Sequence, residues 1–304
     1  MNCRADIYEF VRNTFNSNID SSKHKHLHGN VIYNIVKYIY MHIKTSTVEF
    51  VIFDDKLEGI YTERYDNGKL YVECTYERGI IQHEYKQWHR NGKLFKLWMY
   101  QNGLRTGECN MWHDNGQLYE QCMYEYDVMN GECKQWHTNG NLNNQCTYKN
   151  GLPEGLKTTW HISGKLWEQC NYINGLRDGE YKKWDGNDIL KISCMYKNGT
   201  LNGEYIEWSW CNGKLSKRCN YINGLRDGDY KEWYHNNGQL MKHCIYSNDV
   251  KNGEYSEWYY NGQLFKQGSY RNDKRNDYFT TWAENGNLIE KCAYRNGKRK
   301  IDEI

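Results

Sequence analysis

The sequence has a single proline, only 7 phenylalanines and no apolar run long enough to cross a bilayer. Its most apolar stretch, residues 31–43, is broken by Asn34, Lys37 and His42, so no transmembrane helix is expected. With 38% hydrophobic residues and a mean hydropathy of −1.00, the chain is poor material for one thick globular core. Charge of one sign is missing too. The 40 basic and 38 acidic residues are interspersed for a net charge of +2, which leaves no electrostatic footprint for nucleic acid. The one basic cluster, residues 295–300, is short and reads as a solvated tail. Arg4, Asp6, Glu9 and Arg12 rule out the apolar region of a signal peptide. An intracellular protein is therefore expected, with its 12 cysteines as thiols. There is no P-loop, G-x-S-x-G, H-E-x-x-H or dinucleotide fingerprint.

What the chain does contain is 28 Tyr, 12 Trp and 27 Gly, and these are periodic. Trp88, Trp112, Trp136, Trp160, Trp184, Trp208, Trp233, Trp258 and Trp282 recur at steps of 24, with two steps of 25. Around them runs the frame G-E-Y-x-x-W-x-x-N-G-x-L-x-x-x-C-x-Y-x-N-G. An earlier copy starts at Gly59 with Arg64 in the Trp column, making ten copies. Before them, residues 50–59 line up with the second half of a unit, a half-repeat that would cover the first sheet edge.

Each unit reads as two strands. Asn-Gly after Trp, as in Asn115-Gly116, is a strong hairpin signal, because a type I′ turn needs positive φ at both residues. Both 25-residue steps put their extra residue between Trp and Asn, where a loop tip tolerates it. With Asn115-Gly116 as a two-residue loop, His113 faces Leu118, Trp112 faces Tyr119 and Cys109 faces Cys122. One face then collects Leu118, Cys122 and Tyr124, and the other Trp112 and Tyr119. Two strands per unit at about 4.8 Å give roughly 95 Å of sheet for ten units. The expected fold is mostly β: an elongated single-layer antiparallel sheet of about ten tandem hairpins with a small N-terminal helical head. Its expected divisions are a head (1–46), a half-repeat strand (47–58), ten repeats (59–297) and a tail (298–304).

The frame, clearest from Tyr172 to Leu190 and from Tyr221 to Leu240, closely resembles the MORN-repeat variant family. Such repeats are widespread in bacteria and in large DNA viruses, and the Asn-, Lys-, Tyr- and Ile-rich composition is similar to that of giant-virus proteins. The resemblance implies an elongated sheet used for protein contact, self-association or proximity to lipid, and no catalytic residues. His83 and Asp277 replace the first Gly of the frame, Trp98 and Gly268 replace Cys, and Lys157 replaces Tyr.

Most chemistry-bearing residues dissolve into columns. Cys74, Cys122, Cys146, Cys170, Cys194, Cys219, Cys244 and Cys292 share one, spaced about 9.6 Å apart, too far for disulfides. Without C-x-x-C they suggest no zinc site, and stacking between Tyr rings is the expected role. Cys109/Cys122 and Cys133/Cys146 would face each other within hairpins, and thiols are expected there too. His89, His113, His137 and His161 form a half-exposed column too widely spaced to share an ion. His24, His26 and His28 lie in a polar stretch read as a solvated linker. Glu108, Glu132, Glu180 and Glu204 repeat along a line, whereas an active site needs different groups converging on a point.

In the head, Asn30–Ile43 has Val31, Ile35 and Tyr38 at helical spacing, as a cap for the first hairpin. Leu27 to Ile39 is also similar to the start of an F-box, without the proline after Leu27 or the acidic residue near Asn30. The expectation is a non-enzymatic scaffold without catalytic residues, cofactor or metal. Its partner is a protein or a second copy of the chain, as in a homodimer, docking on the nine-Trp stripe. An F-box-like adaptor docking through Leu27, Val31, Ile35 and Tyr38 is the second reading, and an array with weak lipid or ligand contact the third.

Overall fold

The computed structural model describes residues 41–300. They form one open sheet of 24 strands, in which strands pair antiparallel with their neighbours in sequence. A typical unit is Leu166–Ile173 paired with Leu176–Trp184. Among the described residues there is no helix. The head expected over 1–46 lies outside the described residues as far as residue 40, together with the site residues assigned to it. Of its remainder, Met41–Lys44 is a strand, paired with Val48–Phe53. The strand of the leading half-repeat is thus flanked on both sides, and Met41–Lys44 lies outside it.

The two turns of each unit differ from expectation, and for a definite reason. After Trp the loop has three residues: the His113 N–H donates to the Gln117 carbonyl (2.8 Å) and the Gly116 N–H to the His113 carbonyl (2.9 Å). Only Gly116 has positive φ (+88°), the arrangement of a type I turn closed by a Gly bulge. The type I′ turn is the other one: Asn174 and Gly175 have φ of 49° and 79°, between Ile173 and Leu176. Asn is useful at the first turn for its side chain. Asn115 Oδ1 accepts the Gln117 N–H (2.9 Å), while its Nδ2 donates to the Thr138 carbonyl one unit on (2.7 Å). Asn91, Asn139, Asn237 and Asn261 reach the next unit in the same way. The inserted residues do lengthen this loop, to a Ser209 N–H···O=C Lys214 closure.

The longer loop changes register. Trp112 pairs with Leu118 and Met111 with Glu120, so Tyr119 is bulged out. The expected Trp112–Tyr119 and His113–Leu118 facings do not form, whereas Cys109–Cys122 does. A second bulge falls at the first Gly of the frame. Asn171 lies opposite Asp178–Glu180, and Gly179 takes φ +102° there. His83 and Asp277, which replace that Gly, keep left-handed backbone at φ 62° and 63°.

A one-layer sheet buries side chains by alternating small and large ones in a row across its strands. Tyr181, Cys194, Tyr205, Cys219, Tyr230, Cys244 and Tyr255 are successive partners in seven strands, and Cys244 is fully buried between two rings. A second set of Tyr, such as Tyr196 and Tyr246, meets these rings edge-on at 5.8 and 5.4 Å. Long cationic side chains lie over the rings as a lid: Arg226 is 4.0 Å from the Tyr246 centroid and Arg177 4.9 Å from that of Tyr181. Where Phe279 takes the Tyr position, its ring leans over Gly268, leaving 2.5 Å for any added Cβ. The loss of Cys at 268 is therefore specific to its neighbour.

These positions make opposite predictions for stability. Gly268→Ala must displace Phe279 and should lower unfolding free energy by about 1–3 kcal/mol. His83→Gly removes a left-handed non-Gly residue and should raise it by about 1 kcal/mol. Chemical denaturation of the full chain measures both.

Candidate docking surface

The nine Trp of the expected stripe, from Trp88 to Trp282, all sit at the end of a strand, half-buried, each paired with the Leu of its own hairpin where that register is formed. Among the described residues none of the nine enters a ring–ring contact. The ring pairs run instead between the residue after Trp and the bulged aromatic: His113 with Tyr119 at 5.0 Å, His89 with Phe95 at 4.6 Å and Tyr259 with Phe265 at 4.8 Å.

This explains why His and Tyr interchange in that column. His89, His113 and His137 Nε2 lie 2.9–3.1 Å from the carbonyls of Trp112, Trp136 and Trp160, one unit on. The hydroxyls of Tyr65, Tyr234 and Tyr259 donate to the carbonyls of Trp88, Trp258 and Trp282 at 2.8–3.0 Å. Either side chain places a donor at the far end of a flat ring. The Trp backbone is thus a docking point for the preceding unit.

One unit replaces the ring pair with an ion pair. Asp185 stands in the His column and Lys191 in the bulged column, 3.2 Å apart, with Lys191 almost wholly buried and Asp185 partly exposed. Lys191 Nζ also donates to the Ser209 carbonyl of the next unit (2.9 Å). Burial alone would raise the Asp185 pKa, but the N–H groups of Asn187 and Ile189 and the Lys191 ammonium outweigh it and hold the carboxyl below its ordinary value.

Burial pushes the thiols of Cys74 and Cys170 up to about 11 and that of Cys194 to about 12. Cys211, in a lengthened loop, is exposed. The expectation of thiols throughout is corrected at one place: Cys122 and Cys133 are joined by a disulfide, with Cα atoms 4.0 Å apart. Counting along the Cys column misses this pair, because Cys133 occupies a Tyr position on the strand next to Cys122.

The sequence reading also missed an apolar rail. Ile80, Leu104, Val128, Leu152, Leu176 and Leu225 each follow a type I′ turn and are 39–51% exposed. They recur once per unit along one long edge of the sheet, each about 9.6 Å from the next where units are consecutive. Ile80 and Leu152 lie so close to the next turn's glycine that a Cβ on Gly103 or Gly175 would meet them at 3.2 Å. The available signal was the aliphatic residue that follows the second turn in these six units. Charges of both signs accompany the rail, as in the Arg105–Asp127 and Arg226–Asp249 pairs at 2.7 and 2.6 Å.

A family model described as MORN repeat variant matches residues 57–78, 84–102, 105–126, 129–150, 177–198, 226–248 and 251–272, together half of the chain. The chain belongs to the MORN repeat variant family. The hairpin containing Lys157 lies between matched segments, and its strands pair in the same MORN-repeat pattern. No curated protein matches the chain. Among solved structures, one titled "Crystal Structure of TcdB2-TccC3" is similar over 90% of this chain and 20% of that one, at 10% identity. Its TM-score of 0.13 supports no functional argument.

Three outcomes are expected. His113→Tyr should keep the melting temperature, whereas His113→Phe loses the donor to Trp136 and costs about 1 kcal/mol. Lys191→Met should destabilise the fold at neutral pH by leaving Asp185 unpaired. A carboxyl held low when folded adds stability above its ordinary pKa, which is lost as pH falls through the lowered folded value. Thermal melts of Lys191→Met should therefore show less acid dependence across that window. Native alkylation followed by mass spectrometry should label Cys211 well before Cys74, Cys170 and Cys194.

Proposed function

We propose that this MORN repeat variant chain is a non-enzymatic scaffold that binds a protein along the rail of its type I′-turn edge. The observation that carries this reading is the rail itself: aliphatic side chains exposed at the same position of six units, five of them consecutive from Ile80 to Leu176. Contiguous apolar exposure of this kind marks an interaction surface. The edge alternates cations with carboxylates at the same sites, which favours a protein of mixed charge over an anionic lipid surface. The Trp column supports docking less well, because its carbonyls are engaged by the preceding unit and its side chains are half-buried.

Replacing Leu152, Leu176 and Leu225 together by Gln tests this. Light scattering reads association of the chain with itself, and affinity capture followed by reconstitution with the purified partner reads association with another protein. Association should fall at least tenfold in the triple variant while far-ultraviolet circular dichroism is unchanged. Association that survives in the triple variant but is lost in Trp112→Ala/Trp136→Ala would place the partner on the Trp column instead.

A further inference from the structure

Across the sheet, four cysteines stand side by side. Cys109 pairs with Cys122, Cys122 with Cys133 and Cys133 with Cys146, on four successive strand positions, all buried. In the Tyr181–Tyr255 part of the row a thiol alternates with a ring. Only at Cys109 and Cys133 does a second thiol take the ring's place, so two separate departures from the frame are needed to build the cluster. The run of four thiols is bounded by Trp98 on one side and Lys157 on the other.

A carboxylate completes the cluster. Glu120 lies two residues before Cys122, on the same face of the same strand. Its Oε2 accepts a hydrogen bond from Gln135 Nε2 at 2.7 Å, and Gln135 lies two residues after Cys133 on the adjoining strand. One oxygen of Glu120 and the sulfurs of Cys122 and Cys133 lie within 4.8 Å of one another. Ligand atoms around a tetrahedral ion with metal–sulfur bonds of about 2.3 Å are separated by about 3.8 Å, so once the Cys122–Cys133 bond is broken and the two sulfurs move apart to that distance all three atoms reach one ion. The Gln135 amide then orients the carboxylate, as outer partners do at metal sites. Cys109 and Cys133 are two strands apart, about 9.6 Å, so one ion takes an adjacent pair rather than the whole row. The pair that has a carboxylate is Cys122/Cys133.

We propose that, when reduced, Cys122 and Cys133 bind one thiophilic d10 dication of the zinc class together with Glu120, leaving the fourth position to water. The bound and disulfide forms exclude each other. Two equivalents of an external thiol, or one dithiol, supply two electrons and two protons to the Cys122–Cys133 bond, which opens to two thiols while the reductant is oxidised to its disulfide. The dication then displaces one proton from each cysteine, forming two metal–thiolate bonds and releasing two protons. The expectation of no metal site rested on spacing along the chain, whereas these ligands converge from neighbouring strands.

The test uses the full-length protein, reduced and then freed of reductant under anaerobic conditions. Zinc is titrated against a chromogenic chelator, and cobalt is used as a spectroscopic substitute. One zinc per chain is expected, with thiolate-to-cobalt charge-transfer absorption. Cys122→Ser and Cys133→Ser should abolish it, Glu120→Gln should weaken zinc binding at least tenfold, and Cys194→Ser and Cys211→Ser should leave it unchanged. The oxidised protein should bind none. Circular dichroism establishes that each variant is folded. Retention of no zinc by the reduced protein would overturn the proposal, as would undiminished binding by folded Cys122→Ser and Cys133→Ser.

Discussion

The structure depends on backbone groups at the hairpin tips being satisfied by the preceding unit as well as by their own hairpin. At the Trp-side loop, Asn115 donates from its side chain to Thr138, and His113 lies within hydrogen-bonding distance of the Trp136 carbonyl. At the opposite edge, the Gly175 N–H donates to the Pro153 carbonyl of the preceding unit, and Glu154 accepts the Asn174 N–H. A lone hairpin is marginal in water, and its tips here are completed only within an array. Stability is therefore a property of neighbouring pairs, as in other linear repeat proteins.

The same logic governs the buried row. A single layer has no second sheet to exclude water, so thiols fill the spaces between Tyr rings while Arg and Lys stems close over them. Tolerance of substitution follows from what each neighbour supplies. Asp185 and Lys191 can replace a ring pair because they keep a donor to the next unit. Gly268 tolerates no side chain while Phe279 lies over it. Columns that look uniform along the chain are thus tuned two residues at a time across strands.

That arrangement also separates repetition from function. Identical columns distribute chemistry along a line, which suits a long docking edge. Local departures concentrate it, and Cys133 does so beside Cys122 and Glu120. A repeat sheet built this way repeats one surface over its length and departs from it at one row.

The unit length, the antiparallel hairpins, the indels at the Trp-side loop and the family were all legible in the sequence. Periodicity records the covalent order of residues that every unit must repeat. The pairing of Cys109 with Cys122 was legible as well, being local to one hairpin. Which Asn-Gly adopts the I′ turn was not: dipeptide identity is the same at Asn115 and Asn174, and only the neighbouring unit's carbonyl decides how Asn115 is used. The resulting one-residue change of loop length took Tyr119 away from Trp112 and onto His113. The rail and the four-cysteine row were likewise decided by tertiary structure, because both run perpendicular to the chain, where residues 11 to 24 positions apart become neighbours.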